Sequence, residues 1–78
     1  MQVWITKYAL TSGITEHDAE LCDDSMVKYG TMQYAHLEGK EWHRSYENAL
    51  VRAKEMRIAK IASLKKSIAR LEAMSFDV

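Results

Sequence analysis

Glu16, Asp18 and Glu20 stand two residues apart, and Asp23 and Asp24 follow at once. Alternate side chains of an extended chain project to the same side, so a strand here carries three carboxylates in a row on one sheet face. Such a row can be a solvated face, an edge guarded against aggregation by charge, or a surface offered to a basic groove of a partner. The soft ligands are His17, Cys22, His36 and His43, and their gaps match none of the compact zinc spacings, so no metal and no cofactor is expected. His43, between Trp42 and Arg44, reads as an exposed or edge residue, and Cys22 as a small buried hydrophobe with no base beside it in sequence. Ser12, Ser25 and Ser45 fall where turns or a helix cap use them, and Gly13, Gly30 and Gly39 stand singly, which leaves no phosphate loop. No enzyme is expected from this inventory.

The cations lie elsewhere. Residues 1–43 hold three basic against seven acidic side chains, a net −4, and residues 44–78 hold eight against four, a net +4. An acidic front and a basic back suit oriented contact with a partner. Arg52, Lys54, Lys65, Lys66 and Arg70 could meet phosphates, but the balanced total charge and a sequence pI near 6.8 weigh against a dedicated nucleic-acid binder.

Seventy-eight residues allow one domain, 1–78, with 47% hydrophobic and 28% charged residues, a composition suited to folding. The short apolar runs span no bilayer, and MQVWITK does not read as a signal peptide, so a cytoplasmic protein is expected. Val3–Leu10 (VWITKYAL) is β-branched and aromatic, with Trp4, Thr6, Tyr8 and Leu10 sharing a face. A turn at Thr11-Ser12-Gly13 and a second alternating run, Ile14–Cys22, predict a hairpin. Asp23-Asp24-Ser25 turns the chain, Met26–Leu37 is one bent strand or two short ones around Gly30, and Lys40–Arg44 is a last short strand. The core candidates on the sheet are Trp4, Tyr8, Leu10, Leu21, Met32, Tyr34 and Trp42, facing Leu50, Ala53 and Met56 of a helix.

That helix is predicted from a Ser45 cap through Tyr46 to about Met74, a span free of Gly and Pro and rich in strong helix formers. The fold class is therefore α+β: a small antiparallel sheet of three or four strands over residues 1–44, then one long C-terminal helix within 45–75. Such a helix is a rod of roughly 43 Å, whereas a compact domain of this size is on the order of 30 Å across. It must overhang, bend or find another chain. Ile61, Leu64, Ile68 and Leu71 follow the 3-4-3 step of a coiled coil, which predicts a homodimer or docking on a host protein.

VWITKYALTSGI at residues 3–14 and GKEWHRSYENALVRAKEMRIAKIASLKKSIARLE at residues 39–72 resemble short uncharacterised open reading frames of bacterial prophages and other mobile elements. The resemblance implies a binding protein that acts by protein–protein contact. Some small phage proteins block host defence enzymes such as CRISPR effectors, so the expected partner is a host protein or nucleoprotein complex. No functional residue carries over, and residues 15–38 lie outside the resemblance. The alternative is a small nucleic-acid-binding accessory protein that uses the basic helix.

Overall fold

The computed structural model describes residues 1–76; Asp77 and Val78, the last positions of the expected domain, lie outside the described residues. Five strands and two helices follow one another: β1 (Gln2–Ile5), α1 (Ala9–Ser12), β2 (Thr15–Leu21), β3 (Val27–Tyr29), β4 (Gln33–Ala35), β5 (Trp42–His43) and α2 (Tyr46–Ala73). The strands form one antiparallel sheet in the order β4-β3-β2-β1-β5. The α+β class stands, and the expected three or four strands are five, because Gly30 divides the 26–37 segment and the Trp42–His43 pair joins the edge of β1. Gly30 takes a φ of 62°, a left-handed conformation that turns β3 into β4 within four residues.

The first hairpin is less regular than its sequence. β1 stops at Ile5, and Thr6 leaves it to donate its amide to the Glu41 carbonyl at 2.9 Å. Tyr8 to Gly13 then form a short helical turn, with the Ser12 and Gly13 amides bonded to the Tyr8 and Ala9 carbonyls. The sheet curls, so that Val3, Ile5, Ala19, Val27, Tyr29, Ala35 and Trp42 enclose one core. Trp42 is the largest fully buried side chain, and its indole Nε1–H donates to the Ser25 carbonyl at 2.7 Å, which ties β5 to the turn before β3. Arg44 lies over the same ring at 5.2 Å from its centroid, and its Nε donates to Glu38 at 2.6 Å.

The core is on the other face of β1 from the one expected. Val3 and Ile5 are buried, Trp4 is half-buried, and Tyr8, Leu10, Leu21, Met32 and Tyr34 are exposed. Of the expected sheet residues only Trp42 is fully enclosed. The register explains this: Trp4 lies opposite Glu16 and Gln2 opposite Asp18, so the odd residues of β1 share a face with His17 and Ala19 and its even residues share one with carboxylates. Trp4's face is covered only at its β5 side, where His43 is buried; extending that cover across β2 would bury Glu16 and Asp18 as well, at several kcal/mol per ionised group. The small Val3–Ile5 face went inside.

Ser45 caps α2 as expected, its hydroxyl accepting the Asn48 amide at 3.2 Å, with Glu47 in the first turn where the helix dipole favours an anion. The first turns of α2 lie across β5 and β1 and touch α1. Ala49 is fully buried there, and Leu50, Arg52, Ala53 and Met56 are half-buried. Every described residue from Arg57 onward is exposed. The helix therefore overhangs, and the molecule measures 58 × 25 × 21 Å with a radius of gyration of 17.0 Å, against roughly 11–12 Å for a compact domain of this length.

Candidate interaction surfaces

The acidic residues divide between β2 and the turn after it. Glu16, Asp18 and Glu20 project from the solvent face of β2, as their spacing requires, and all three are exposed. Each has a neighbour on that face. Gln2 Nε2 donates to Glu16 at 2.8 Å, the Met1 amine pairs with Asp18 at 3.1 Å, and Lys28 stands opposite Glu20 across the β2–β3 ladder. Asp23 belongs to the turn: its Oδ1 accepts the amides of Ser25 and Met26, both at 2.9 Å. Those two backbone bonds hold its carboxyl below the ordinary Asp value. Asp24 is exposed beside it. The hollow next to the row, between Asp18, Glu20, Lys28 and Thr31, is open and holds about 260 Å³, below the usual range of small-molecule sites.

The soft ligands are dispersed. His17 bonds Thr15 Oγ1 at 3.1 Å and packs on Tyr29 with ring centroids 4.7 Å apart. His36 is exposed, its backbone amide bonded to Glu41. Among the described residues no three His, Cys, Asp or Glu side chains converge on a metal-sized site. Two expectations are corrected here. Cys22 is exposed, because β2 ends at Leu21 and the Asp23 turn carries the next residue out of the sheet. His43 does sit on an edge strand, β5, but it is buried and not exposed, because α2 packs over that strand.

His43 has company inside. Thr6 Oγ1 donates its single proton to the Lys40 carbonyl at 2.8 Å, so at 2.9 Å it accepts from His43 Nε2–H. Burial pushes the imidazole below its ordinary value, the Arg52 guanidinium pushes it further, and Glu38 opposes weakly. The Arg52 Nε lies inside too, without a hydrogen-bond partner among the described residues. Arg52 is thus half-buried, with its Nε turned inward.

The other cations expected to meet phosphates, Lys54, Lys65, Lys66 and Arg70, are exposed. At about 100° per residue Lys54 and Lys65 share one side of α2, while Lys66 and Arg70 lie on another roughly 120° away. They bracket the helix; no single face collects them. The apolar stripe, with Ile61 46%, Leu64 49%, Ile68 54% and Leu71 65% exposed, runs beside the side of Lys54 and Lys65 and roughly opposite Lys66 and Arg70. Ile58 lies one turn from Ile61, and at 66% exposed it widens the same surface. With Ala62 and Lys65 the two isoleucines line a shallow apolar hollow of about 230 Å³.

The overhang lacks local support of its own. Lys66 and Arg70 are like charges four residues apart, and Glu72 in the last turn faces the negative end of the helix dipole. Ser67 returns its hydroxyl to the Ser63 carbonyl at 3.2 Å, a bond that does not favour a helix interior. Arg70 near the C-terminus is the favourable exception. No helix among the described residues is long and apolar enough to cross a membrane. No family model, curated protein or solved structure matches this chain.

Proposed function

We propose that the protein works by binding, not by catalysis, and that the overhanging half of α2 is its contact surface for another protein. One observation carries the reading: Ile58, Ile61, Leu64, Ile68 and Leu71 form a continuous stripe beyond the sheet, each of them about half exposed or more. Leaving a large aliphatic side chain in water forgoes up to about 1.5–3 kcal/mol, and apolar patches on this scale mark interaction sites. The resemblance to short prophage reading frames directs the choice of target towards host defence nucleoproteins, which the protein would inhibit by occupying a site. The acidic row, with its neighbours on β1 and β3, then steers the encounter more than it contributes affinity.

Tagged protein incubated with host lysate should capture a partner, and Ile68→Asp should lose it while the circular dichroism of the sheet and the near-UV signal of Trp42 persist. Equal capture by Ile68→Asp and wild type would remove the helix from the contact.

The nucleic-acid reading rests on Lys54, Lys65, Lys66 and Arg70. Their division between two sides of α2 favours the protein reading. A titration with plain DNA and RNA over a salt series separates the two, since neutralised phosphates give a steep linear fall of log affinity with log salt.

A further inference from the structure

We infer that the stripe on α2 is covered by α2 of a second copy, running antiparallel; this rests on the reading of the overhang as a protein-contact surface and names its occupant. Three features choose a second copy and its direction. The first is where the stripe is free. α1 leans against the start of α2, and Ala9 and Leu10 with Leu50, Ala53, Lys54 and Arg57 line a groove of about 200 Å³. A partner helix is therefore obstructed along residues 50–57 and unobstructed from Ile58 to Met74, about 25 Å of helix.

The second is self-complementarity. Over the free length the 3-4-3 spacing of Ile61, Leu64, Ile68 and Leu71 reads the same from either end. Two antiparallel copies set Ile61 against the partner's Leu71 and Leu64 against the partner's Ile68, each aliphatic group meeting another. The area suffices: a stripe of five large residues, half or more exposed, with Met74 and Phe76 also exposed at its end, presents on the order of 500 Å² per chain. Two such stripes remove on the order of 1,000 Å² from water, the size at which a specific interface begins.

The third is charge. Residues 57–73 carry five cations and one anion, a net +4, and residues 1–43 carry a net −4. Either direction sets the two basic segments alongside each other, but a parallel pair also brings the two acidic sheets together at one end. The antiparallel pair sends each basic helix end towards the acidic body of the other copy, so the long-range field favours it. Lys65 of the two copies approach near the dyad, and their flexible stems can carry the ammonium groups outward.

The test uses the full chain in a Cys22→Ser background, since that thiol is exposed. Sedimentation at several hundred micromolar should give twice the 9.0 kDa of the chain, and Ile68→Asp should return it to single mass with the sheet intact. For direction, chains bearing Ile61→Cys are mixed with chains bearing Leu71→Cys and oxidised. The expected product is the mixed 61–71 disulfide. A predominance of 61–61 and 71–71 disulfides, which a parallel pair would give, overturns the orientation, and a single-chain mass throughout overturns self-pairing. In that last case the protein-contact reading is judged separately, by whether Ile68→Asp still loses the captured partner. If Ile68→Asp unfolds, Leu64→Gln with Leu71→Gln provides the milder variant for the same mass measurement.

Discussion

Thr6 and His43 meet in the interior at 2.9 Å, thirty-seven residues apart in sequence, and join the end of β1 to the edge strand beneath α2. Thr6 gives its proton to the Lys40 carbonyl, so the imidazole supplies Nε2–H, and burial with the nearby Arg52 charge favours its neutral form. The same ring closes the sheet edge and titrates inside the fold.

His43 has a folded-state pKa below its ordinary value of 6.5, caused first by burial and then by Arg52. The unfolded chain then takes up a proton at a higher pH than the native one, and stability rises with pH across that window. The melting temperature should fall as pH drops below about 6.5, until the pH passes the folded-state value. His43→Gln keeps an N–H donor for Thr6 and does not titrate, so its melting temperature should depend less on pH over the same window. Parallel wild-type and variant profiles would remove His43 as the source.

Ala49 is the one described α2 residue that is fully buried, and its small side chain sets how closely the helix approaches β5 and β1. Ala49→Leu adds volume to a packed contact and should cost about 1–3 kcal/mol in denaturant unfolding. An enlargement at exposed Ala59 should cost little, within about 0.5 kcal/mol. Equal effects at the two sites would mean that the helix is not anchored through Ala49.

Exchanging Glu16, Asp18 and Glu20 for Gln, Asn and Gln removes the carboxylates of the β2 row and keeps its polarity. Exposed pairs such as Met1–Asp18 contribute about 0–1 kcal/mol, so unfolding should change by no more than that. Association with a captured partner should slow, and its salt dependence should flatten. Association as fast as wild type at every salt concentration would leave the row a solvated face and the helix the whole contact.

Chelation should leave the melting temperature unchanged, because His17, His36 and His43 are engaged or placed separately and Cys22 stands apart from them. Structural zinc raises stability by its binding energy and its removal would be plain in a thermal scan. Elemental analysis showing one zinc per purified chain would contradict this.

Local chemistry made several elements legible. The Ser45 cap, the run without Gly or Pro and the 3-4-3 aliphatic steps define α2 nearly residue for residue, because helix formation depends on neighbours within one or two turns. Alternation likewise placed Glu16, Asp18 and Glu20 on one face of β2, and Gly30 marked the break between β3 and β4. The length of α2 against the size of so short a domain left it to overhang, bend or find another chain, and the 58 Å long axis displays the first of these. These are properties of segments, and segments carry their own period.

Tertiary structure decided which face of each segment is inside. By size alone Trp4 is a core residue and Val3 a lesser one, but cross-strand register puts Trp4 beside Glu16, and the cost of dehydrating carboxylates outweighs the gain of burying one indole. Register is a relation between strands, so β1 read by itself could not show it. The same holds for His43, which becomes buried because α2 packs over β5, and for Arg52, whose Nε is turned inward. Thr6 reads as an alternating strand residue, yet its bonds to Lys40 and His43 depend on a chain that returns more than thirty residues later. Periodicity records what a residue's neighbours in sequence require; a buried polar contact is set by the partners that folding brings to it.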